Sequence, residues 1–459
     1  MSWSWTSYGA ADGVTGSLHR LTTPDGDILL ECGLFQGRRK ESWELNRSIP
    51  PDLAKVKALV LTHAHVDHCG RLPLLVKSGW KGPIYCSPPT ADLAMPMMLD
   101  SATIMENDFK FMQKHKRDVL PPLFTRADAE RVGPLLRPLP FGTRETLFGG
   151  ISLTLFRSAH ILGSAMAFVE QGHENLLFTG DLGSHPAHLL RDREIPHGVR
   201  HLVMESTYGA RRHKPYNETV ESLRMELLRV IDTRGKLLIP SFALERTQHL
   251  MALLNRFINT KAIPSVEVVV DSPLGRKLTE AYERHADEYK APYCQDATQC
   301  FRSSSIRFTE TVEDSKALND KGGPLVIIAS SGMCEGGRVL HHLLNIVENP
   351  HHSILIVGFQ AAHTLGRRLV DRVDEVKIYG ETRKLRARVQ AVNGLSAHAD
   401  CEGLLHFVEP QVDSLRSIRL VHGEPEARST LRSKLVQRWP RLEGHVHCEE
   451  RGETSSLTR

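Results

Sequence analysis

Three histidines and one aspartate are crowded into a six-residue motif, His63-Ala64-His65-Val66-Asp67-His68, directly after an apolar run at 58–61. Imidazole nitrogen and carboxylate oxygen are both ligands that zinc accepts. Four such groups cannot comfortably surround one tetrahedral ion, because the backbone splays them apart. They are better divided between two ions, and a pair of metals forms a clamp for displacement at phosphorus or carbonyl centres. The motif therefore predicts a two-metal hydrolytic centre, with a histidine-rich surface turn as the structural alternative.

A two-metal centre needs about seven protein ligands, so further histidine or aspartate residues are expected elsewhere in the chain. His160, Asp181 and His422 each come after an apolar run. Gly180, next to Asp181, would allow a close approach of the backbone. A lone histidine or aspartate in such a place is more often structural. Their order after the first motif makes these three the candidate ligands.

Short apolar strands alternate with amphipathic segments, a pattern that indicates an α/β protein. In the first part of the chain a long helix is predicted near 90–115, and the predicted strands are 28–31, 58–62, 153–156, 176–179 and 201–204. After about residue 208 the predicted strands are uniformly apolar, as parallel strands buried on both faces are; they are 236–239, 266–270, 325–329 and 354–357. Ligands of open α/β sheets lie at the carboxyl ends of strands. Two further strands, 389–392 and 418–421, follow this region and precede a helix and a last short strand.

The bulk composition narrows the class of protein. A chain of 459 residues is too long for one ordinary core, so two or three domains are expected. Its 41% hydrophobic and 24% charged content is that of a soluble globular protein. No apolar stretch has the length of a membrane span, and the N-terminus lacks the features of a signal peptide. We therefore expect a cytoplasmic protein with no membrane association. The net charge of +4 is compatible with an anionic substrate but does not establish one.

Taken together, the motifs resemble those of metallo-β-lactamase-fold nucleases of the β-CASP group. The matching segments are His63–His68, His160, Asp181, Glu205-Ser206-Thr207-Tyr208-Gly209, Leu395-Ser396-Ala397-His398-Ala399-Asp400 and Leu420-Val421-His422-Gly423-Glu424. Within that group, Ser158–Met166 and Ser330–Met333 are most similar to the cleavage-and-polyadenylation endonuclease branch and its short bacterial and archaeal relatives. They are less similar to ribonuclease J.

The resemblance implies a fold and a division into domains. The expected fold is a metallo-β-lactamase αββα sandwich that carries an inserted doubly wound α/β domain, the β-CASP domain. The expected boundaries are 1–207 for the first part of the metallo-β-lactamase domain, 208–388 for the insert and 389–459 for the return segment.

The resemblance also implies a ligand set and a substrate. Two zinc ions per chain are expected, and manganese could replace them in vitro because His and Asp sites accept several divalent ions. One ion would be held by His63, His65 and His160, and the other by Asp67, His68 and His422, with Asp181 bridging. The expected substrate is single-stranded RNA, hydrolysed in a cleft between the two domains by a hydroxide that the two metals activate.

Individual residues receive roles by the same resemblance. His398 matches the position of the general acid, and Glu205 matches the carboxylate that orients it. Asp67 is expected to orient the attacking hydroxide as well as to bind metal. The expected substrate-binding residues are Ser330, Ser331, Gly332 and His363, with an ordinary strand-to-helix turn and an ordinary helix start as the structural alternatives.

Two departures from the family pattern stand out. Glu31 occupies a position where the family usually has aspartate, and that position is normally structural rather than a ligand. His363 stands where relatives commonly have glycine. The pair His341-His342 matches no family ligand and is predicted to lie on the surface.

The sequence as a whole favours a zinc-dependent endoribonuclease of RNA processing or decay, with 5′→3′ exonucleolytic cleavage left open. A DNA nuclease of the same fold, a non-catalytic RNA-processing subunit and a small-molecule hydrolase are the alternatives. Retention of all seven ligands disfavours the non-catalytic subunit, and the long insert disfavours the small-molecule hydrolase. The RNA target and the choice between monomer and homodimer stay open.

Overall fold

The computed structural model describes residues 3–37, 39–50, 52–115, 120–290, 300–358, 360–361 and 363–457. The chain divides into two compact units. The first unit comprises Met1–Arg212 together with Ala397–Arg459, and the second comprises His213–Ser396.

The strands are numbered in chain order. They are β1 Ser4–Gly9, β2 Leu18–Thr23, β3 Gly26–Leu30, β4 Val56–Val60, β5 Ile84–Cys86, β6 Leu136–Pro138, β7 Arg144–Phe148, β8 Ile151–Arg157, β9 Ala165–Gln171, β10 Glu174–Phe178, β11 His201–Glu205, β12 Lys236–Pro240, β13 Glu267–Asp271, β14 Ile306–Phe308, β15 Leu325–Ala329, β16 Ser353–Val357, β17 Glu375–Ile378, β18 Glu381–Lys384, β19 Arg388–Val392, β20 Ser417–Val421, β21 Val446–Cys448 and β22 Thr454–Ser456.

The helices of the described residues are numbered in the same way. They are α1 Arg39–Asn46, α2 Val66–Cys69, α3 Leu72–Lys77, α4 Pro88–Lys114, α5 Arg126–Glu130, α6 Tyr216–Asp232, α7 Arg246–Asn259, α8 Pro273–Arg284, α9 Val312–Asp320, α10 Val339–Ile346, α11 Leu365–Val370, α12 Cys401–Val408 and α13 Pro425–Arg438. Short 3-10 turns lie at Leu53–Lys55, Gly133–Leu135, Ala286–Glu288, Glu409–Gln411 and Pro440–Leu442. No helix in this set is long and apolar enough to cross a bilayer.

Two sheets of the first unit share one apolar core. Their strand orders are β22-β1-β2-β3-β4-β5-β6 and β21-β20-β11-β10-β9-β8-β7. Trp5, Ile28 and Val60 of the first sheet pack with Leu153 and Phe178 of the second. On its other face the second sheet packs against α12 and α13, and α4 contacts β6 of the first sheet. These layers confirm the predicted αββα sandwich.

The sheet of the second unit is parallel throughout, with strand order β14-β13-β15-β12-β16-β19. Its strands are apolar on both faces, because helices cover both. Residues of α9, α10 and α11 join the core on one face, whereas α6 and α8 contact β12 and β13. This arrangement confirms the predicted doubly wound α/β domain.

One strand lies in a different place from the one the sequence suggests. Residues 389–392 are predicted to follow the insert, but β19 pairs with β16 in the insert's own sheet. The pattern of apolar residues in a strand indicates which of its faces is buried but does not indicate which strand it pairs with. The predicted place of residues 389–392 after the insert is therefore wrong. The domain boundaries drawn from the resemblance stay a prediction.

Polar caps fix the starts of helices that adjoin the predicted site residues. Ser272 accepts a hydrogen bond from the amide of Gly275 at the start of α8, and Asp400 accepts one from the amide of Gly403 at the start of α12. Each cap satisfies an amide that the helix leaves without a partner. Asp400 thereby ends the loop that carries His398.

A buried carboxylate ties the elements of the second unit together. Asp271, at the end of β13, is fully buried and accepts hydrogen bonds from Thr309 (2.6 Å), Ser315 (2.6 Å), Arg338 (2.5 Å) and His342 (2.6 Å). Burial raises the pKa of Asp271, but these hydrogen bonds lower it more, so the net pKa lies below its ordinary value. His342 is therefore a buried partner of Asp271, and the prediction that it lies on the surface is wrong.

We expect Asp271→Asn to lower the free energy of unfolding of the second unit by about 3 kcal/mol, because a neutral amide no longer compensates the charge of Arg338. A depressed carboxyl pKa stabilises the fold above the unfolded-state pKa, and this stabilisation is lost as the pH falls through the folded-state pKa. The gap between wild type and variant should therefore narrow below about pH 4. Denaturant unfolding measures the gap, and hydrogen exchange at the amides of β13 and β15 locates it.

The exposed Asp371→Asn serves as the matched control. Equal stability of Asp271→Asn and wild type at neutral pH would contradict the assignment.

Candidate metal centre

The motif His63–His68 lies where β4 ends and α2 begins. His63 lies in the loop after the strand, His65 is the N-cap of α2, and Asp67 and His68 belong to that helix. In a continuous strand His68 would point to the face opposite the other three residues. The change to helical backbone brings all four side chains to one place.

A first cluster of ligand atoms matches the first predicted metal position. Atoms of His63, His65, His160 and Asp181 all lie within 4.8 Å of one another. Nδ1 of His65 is 3.1 Å from Nε2 of His63 and 3.2 Å from Nε2 of His160. Three imidazoles that face one point at this separation are suited to a cation rather than to each other.

A second cluster matches the second predicted position. Atoms of Asp67, His68 and His422 lie within 4.8 Å of one another. Asp181 lies beside both clusters: its Oδ2 is 3.4 Å from Nε2 of His160 and 3.3 Å from Nε2 of His68, and its Oδ1 is 3.4 Å from Nδ1 of His422. The structure thus brings together all seven predicted ligands, with Asp181 in the bridging place.

Glycine at position 180 permits this arrangement. Gly180 has φ +50°, and a Cβ added there would lie 2.6 Å from Oγ1 of Thr62. A side chain at this position would therefore collide with Thr62, which directly precedes the first motif. The predicted close approach of the backbone is confirmed.

Unpartnered buried atoms test whether the cluster fits a metal. Asp181 Oδ1 and His422 Nε2 are buried and have no hydrogen-bond partner among the described residues. A buried polar atom left in this state costs about 1–3 kcal/mol. Oxygen and imidazole nitrogen are also the donors that zinc and related divalent ions take. The donor set therefore fits divalent cations.

The protonation of the first cluster suits metal binding. Burial lowers the pKa of His65 to about 4 and lowers the pKa values of His63 and His160 well below the ordinary histidine value. All three imidazoles are therefore neutral near pH 7. Neutral imidazole is the form in which histidine ligates a metal.

The second cluster carries protons that a metal would have to displace. Burial lowers the pKa of His68, but the carboxylates of Glu31 and Asp181 raise it more, so the net pKa lies well above the ordinary value. Burial also lowers the pKa of His422, and Asp181 and Asp67 raise it more. In the metal-free protein the raised pKa values favour the protonated form of both rings, whose positive charge compensates buried negative charge.

Beside the clusters, His398 is paired with a buried carboxylate. Nδ1 of His398 donates a hydrogen bond to Oε1 of Glu205 at 3.0 Å, and Glu205 is fully buried. Glu205 also accepts hydrogen bonds from the amides of Leu182 (2.7 Å) and Thr207 (3.2 Å). Nε2 of His398 lies 3.8 Å from Oδ2 of Asp181. Burial lowers the pKa of His398, but Glu205 and Asp181 raise it more, to about 9. The pair thus places a protonated imidazole next to the candidate metal ligands.

Three stretches of the chain match known protein families. Residues 14–241 match the metallo-beta-lactamase superfamily, residues 247–369 match the Beta-Casp domain, and residues 382–443 match the Zn-dependent metallo-hydrolase RNA specificity domain. Ribonuclease TTHA0252 of Thermus thermophilus is 35% identical to the chain over 437 residues, which cover 94% of this chain and 95% of that protein. The chain belongs to the metallo-β-lactamase-fold β-CASP ribonuclease family. The resemblance drawn from the motifs is thereby confirmed.

Two further comparisons concern an archaeal relative and a solved structure. Transcription termination factor FttA of Methanothermobacter thermautotrophicus is 31% identical over 443 residues, which cover 91% of this chain and 66% of that protein. A crystal structure of a protein of unknown function from Enterococcus faecalis V583 superposes with a TM-score of 0.56 at 14% identity. The superposition covers 99% of this chain and 100% of the Enterococcus chain. At that identity the likeness concerns the fold alone.

The candidate metal ligands are oriented by polar groups behind them. The hydroxyl of Thr62 is 2.9 Å from Nδ1 of His63, and the hydroxyl of Thr207 is 3.1 Å from Nδ1 of His422. Partners of this kind hold a ligating ring in place and set its tautomer. A threonine hydroxyl in a loop has no sequence signature, so these contacts could not be predicted.

Glu31 belongs to the same group of orienting residues. Its Oε1 lies 2.8 Å from Nδ1 of His68, and its carboxylate also accepts hydrogen bonds from Ser17 and Thr62. The residue has φ +66° and is fully buried. By resemblance the position of Glu31 is structural rather than that of a ligand, and in the structure Glu31 directly contacts a candidate ligand, His68.

Arg193 is a positioning residue that the sequence does not reveal. Its guanidinium donates to the carbonyl of Gly183 at 3.0 Å and to the carbonyl of Gly403 at 2.7 Å. It therefore links the loop of Asp181 to the start of α12, where the loop of His398 ends. The amide of Ala399 donates to the carbonyl of Leu182 at 2.7 Å and completes the same link.

The predicted substrate-binding residues lie in the β-CASP insert. Ser330, Ser331 and Gly332 form the turn directly after β15, where Oγ of Ser330 donates to Oγ of Ser272 at 3.0 Å. His363 is exposed and directly precedes Thr364, the N-cap of α11. Its φ of +69° lies in the left-handed region that favours glycine, in agreement with the glycine that the resemblance leads one to expect there. A role of these four residues in binding substrate stays a prediction.

We expect zinc binding by the metal-free protein to release protons and to strengthen as the pH rises from about 6 to about 8. The reason is that His68 and His422, whose pKa values are raised, must lose their protons before they can ligate. Calorimetry in buffers of different ionisation enthalpy measures the protons released. The exposed His406→Ala, outside the centre, should release the same number. Binding with no net proton release would contradict this account.

We expect Glu31→Gln to weaken zinc binding by about 10- to 100-fold, because the amide no longer holds and polarises the imidazole of His68. Competition with a chelator measures the affinity, and circular dichroism checks that the fold is kept. The exposed Glu443→Gln should bind zinc as the wild type does. Unchanged affinity in Glu31→Gln would show that Glu31 only fills space.

Proposed function

We propose that this β-CASP protein is a zinc-dependent ribonuclease that hydrolyses phosphodiester bonds of single-stranded RNA during RNA processing or decay. The observation that carries the proposal is that the two clusters, which together hold the seven candidate ligands, meet at Asp181, with the Glu205–His398 pair beside them. A protein that only bound metal ions would not need a protonated histidine beside the metal ligands.

The residues that would hold the metals follow from the two clusters. His63, His65 and His160 would hold one zinc ion, and Asp67, His68 and His422 would hold the other, with Asp181 shared. When bound, such a pair supplies activation of water near neutral pH and neutralises charge on a phosphate. His/Asp donor sets also accept manganese, so activity with that ion in vitro is expected.

The exposed fractions of the side chains distinguish the residues that a substrate can reach from the buried residues that support them. The side chains of Asp67 and His398 are 21% and 20% exposed, whereas those of Asp181, Glu205 and His63 are at most 2% exposed. Asp67 can therefore accept a hydrogen bond from the attacking water and orient it. His398 can reach the leaving oxygen, which lies on the other side of the phosphorus from the attacking water.

The leaving oxygen needs a proton, and the chain provides one. When water attacks phosphorus, the bond from phosphorus to the ribose 3′ oxygen breaks and that oxygen takes up charge. His398 holds its proton on Nε2 while Nδ1 donates to Glu205, and transfer of the Nε2 proton yields a neutral 3′ hydroxyl. Glu205 keeps the imidazole oriented and protonated before transfer. The distance between Glu205 and His398 supports these two roles, with His398 as the acid and Glu205 as the carboxylate that orients it.

RNA is favoured over the alternatives by several independent observations. The match of residues 382–443 to an RNA specificity domain and the name of the Thermus relative both support an RNA substrate. His422 is present, whereas DNA-specific members of the fold tend to have valine there. A complete ligand set is difficult to reconcile with a non-catalytic subunit. Transcription termination is not included in the proposal, because the chain spans only 66% of the archaeal factor compared above.

We expect His398→Ala to slow cleavage of a 5′-labelled single-stranded RNA by about 10²- to 10⁴-fold at unchanged zinc content, because the 3′ oxygen then leaves without a proton. The same variant should retain most activity on bis(p-nitrophenyl) phosphate, whose leaving group needs no proton. Single-turnover rates and metal analysis measure both effects.

His406→Ala, which removes an exposed histidine of α12, is the matched control and should cleave at the wild-type rate. An equal loss on both substrates, or a loss of zinc with the activity, would contradict the acid role of His398. No cleavage of RNA by zinc-loaded wild type would contradict the proposed function.

A further inference from the structure

Three neighbouring strands of the β-CASP insert end at the same level. Pro240 of β12 and Asp271 of β13 are both in register with Ala329 of β15. Each strand is followed by a serine: Ser241, Ser272 and Ser330. This edge is the carboxyl end of a parallel sheet, where open α/β sheets receive their ligands.

A phenylalanine interrupts the polar residues of this edge. Phe242 follows Ser241 and is 46% exposed, whereas Ser241 is 1% and Leu244 2% exposed. The large apolar side chains that are exposed in the described part of residues 213–396 are Met225, Phe242, Val312 and Tyr379. Met225 lies on α6, Val312 starts α9 and Tyr379 lies between β17 and β18. Among these four exposed side chains, Phe242 is thus the one that lies after a strand at the carboxyl edge of the parallel sheet.

The backbone that carries the ring is held in place. The carbonyl of Phe242 accepts hydrogen bonds from the amide (3.3 Å) and the hydroxyl (2.7 Å) of Thr247 at the start of α7. The amide of Ser241 donates to the carbonyl of Ala329 at 3.0 Å. The ring is therefore exposed from a fixed backbone and not from a loose loop. A partner that covers it meets a preorganised surface and spends little ordering entropy.

Glycine at position 332 brings the ring against the neighbouring turn. A Cβ added to Gly332 would lie 3.0 Å from the ring carbon Cδ2 of Phe242 and 3.0 Å from its backbone nitrogen. The exposed aromatic surface thus borders on the turn that carries Ser330 and Ser331. The hydroxyl of Ser330 already donates to Ser272 (3.0 Å) and the amide of Ser331 to the carbonyl of Gly336 (3.1 Å). The oxygen of the Ser331 hydroxyl accepts a hydrogen bond from the amide of Glu335 (3.3 Å), so this hydroxyl keeps its own proton to donate. Serine hydroxyls are donors that hydrogen-bond phosphate oxygens. An aromatic face next to such donors is the combination found in grooves that bind single-stranded nucleic acids.

We propose that Phe242 is a stacking platform for one nucleobase of the RNA, with the adjoining phosphate at the Ser330–Gly332 turn. This proposal rests on the proposed function for the nature of the substrate. An unpaired base offers a flat π face to the ring, whereas the bases of a duplex are already stacked on one another. A protein partner would call for a continuous apolar patch, but among the exposed large apolar side chains of the described part of the insert Phe242 is the one that follows a strand at this edge. Because every base has a π face, Phe242 would bind without strong sequence preference.

The test measures binding rather than cleavage. A fluorescent single-stranded RNA and a series of the same RNA with one abasic site moved along it are titrated with the full chain in the His398→Ala background, which keeps the RNA intact. We expect Phe242→Ala to weaken binding of the intact RNA by about tenfold, the effect of removing one base–aromatic stack. We expect Phe242→Tyr to keep the affinity and Phe242→Leu to lose it, since leucine has similar size and no π face.

The coupling to a single base is the decisive result. For one position of the abasic site, wild-type Phe242 and Phe242→Ala should bind with equal affinity, because the base that stacks is missing. Tyr379→Ala removes another exposed aromatic of the insert and should leave all affinities unchanged. Thermal unfolding of each variant checks that the fold is intact.

Other outcomes would overturn the proposal. If Phe242→Ala weakened the intact and all abasic RNAs equally, or if Phe242→Leu bound as wild type does, Phe242 would act through packing and not through stacking. Binding coupled to one base without cleavage by wild type would refute the proposed hydrolysis and leave the stacking intact. Cleavage without coupling would refute the stacking alone, and no binding of RNA by wild type would refute both.

Discussion

The buried charge of Asp181 is the constraint on which the metal centre depends. Its carboxylate is 2% exposed and lies 3.3–3.8 Å from five imidazoles, those of His63, His68, His160, His398 and His422. A carboxylate can be kept ionised in such a place only if positive charge or strong donors surround it. Segments far apart in the chain must therefore end at one point, and the sandwich of two sheets is the scaffold that brings them there.

The groups behind the ligands explain why this point is well defined. Thr62, Thr207 and Glu31 each contact the far nitrogen of one ligand ring, and Arg193 joins the loop of Asp181 to the helix that follows His398. A site held only by its ligands would tolerate shifts of an ångström, which is enough to spoil the alignment of an acid with its leaving group. The geometry of this centre thus depends also on residues outside the seven candidate ligands.

Much of this arrangement could be predicted from the sequence, and the rest could not for identifiable reasons. The apolar runs that precede His63, His160, Asp181 and His422 are strands as expected, because their pattern is local. The convergence of the seven candidate ligands could be predicted because the motifs that carry them match a known set. The pairing of β19, the contact between Glu31 and His68 and the exposure of Phe242 were missed. Each depends on residues distant in the sequence, and no local pattern encodes such contacts.

The two halves of the first unit are separated by the whole insert, and this order has a consequence for synthesis. β1 pairs with β22 and β11 pairs with β20, while His422 follows β20. A ribosome therefore releases the first motif long before the strands that complete both sheets and the histidine that completes the ligand set. Until then the nascent chain has an edge strand without its partner and a centre that lacks one candidate ligand, so hydrolytic capacity can arise only after β20 and His422 have been synthesised.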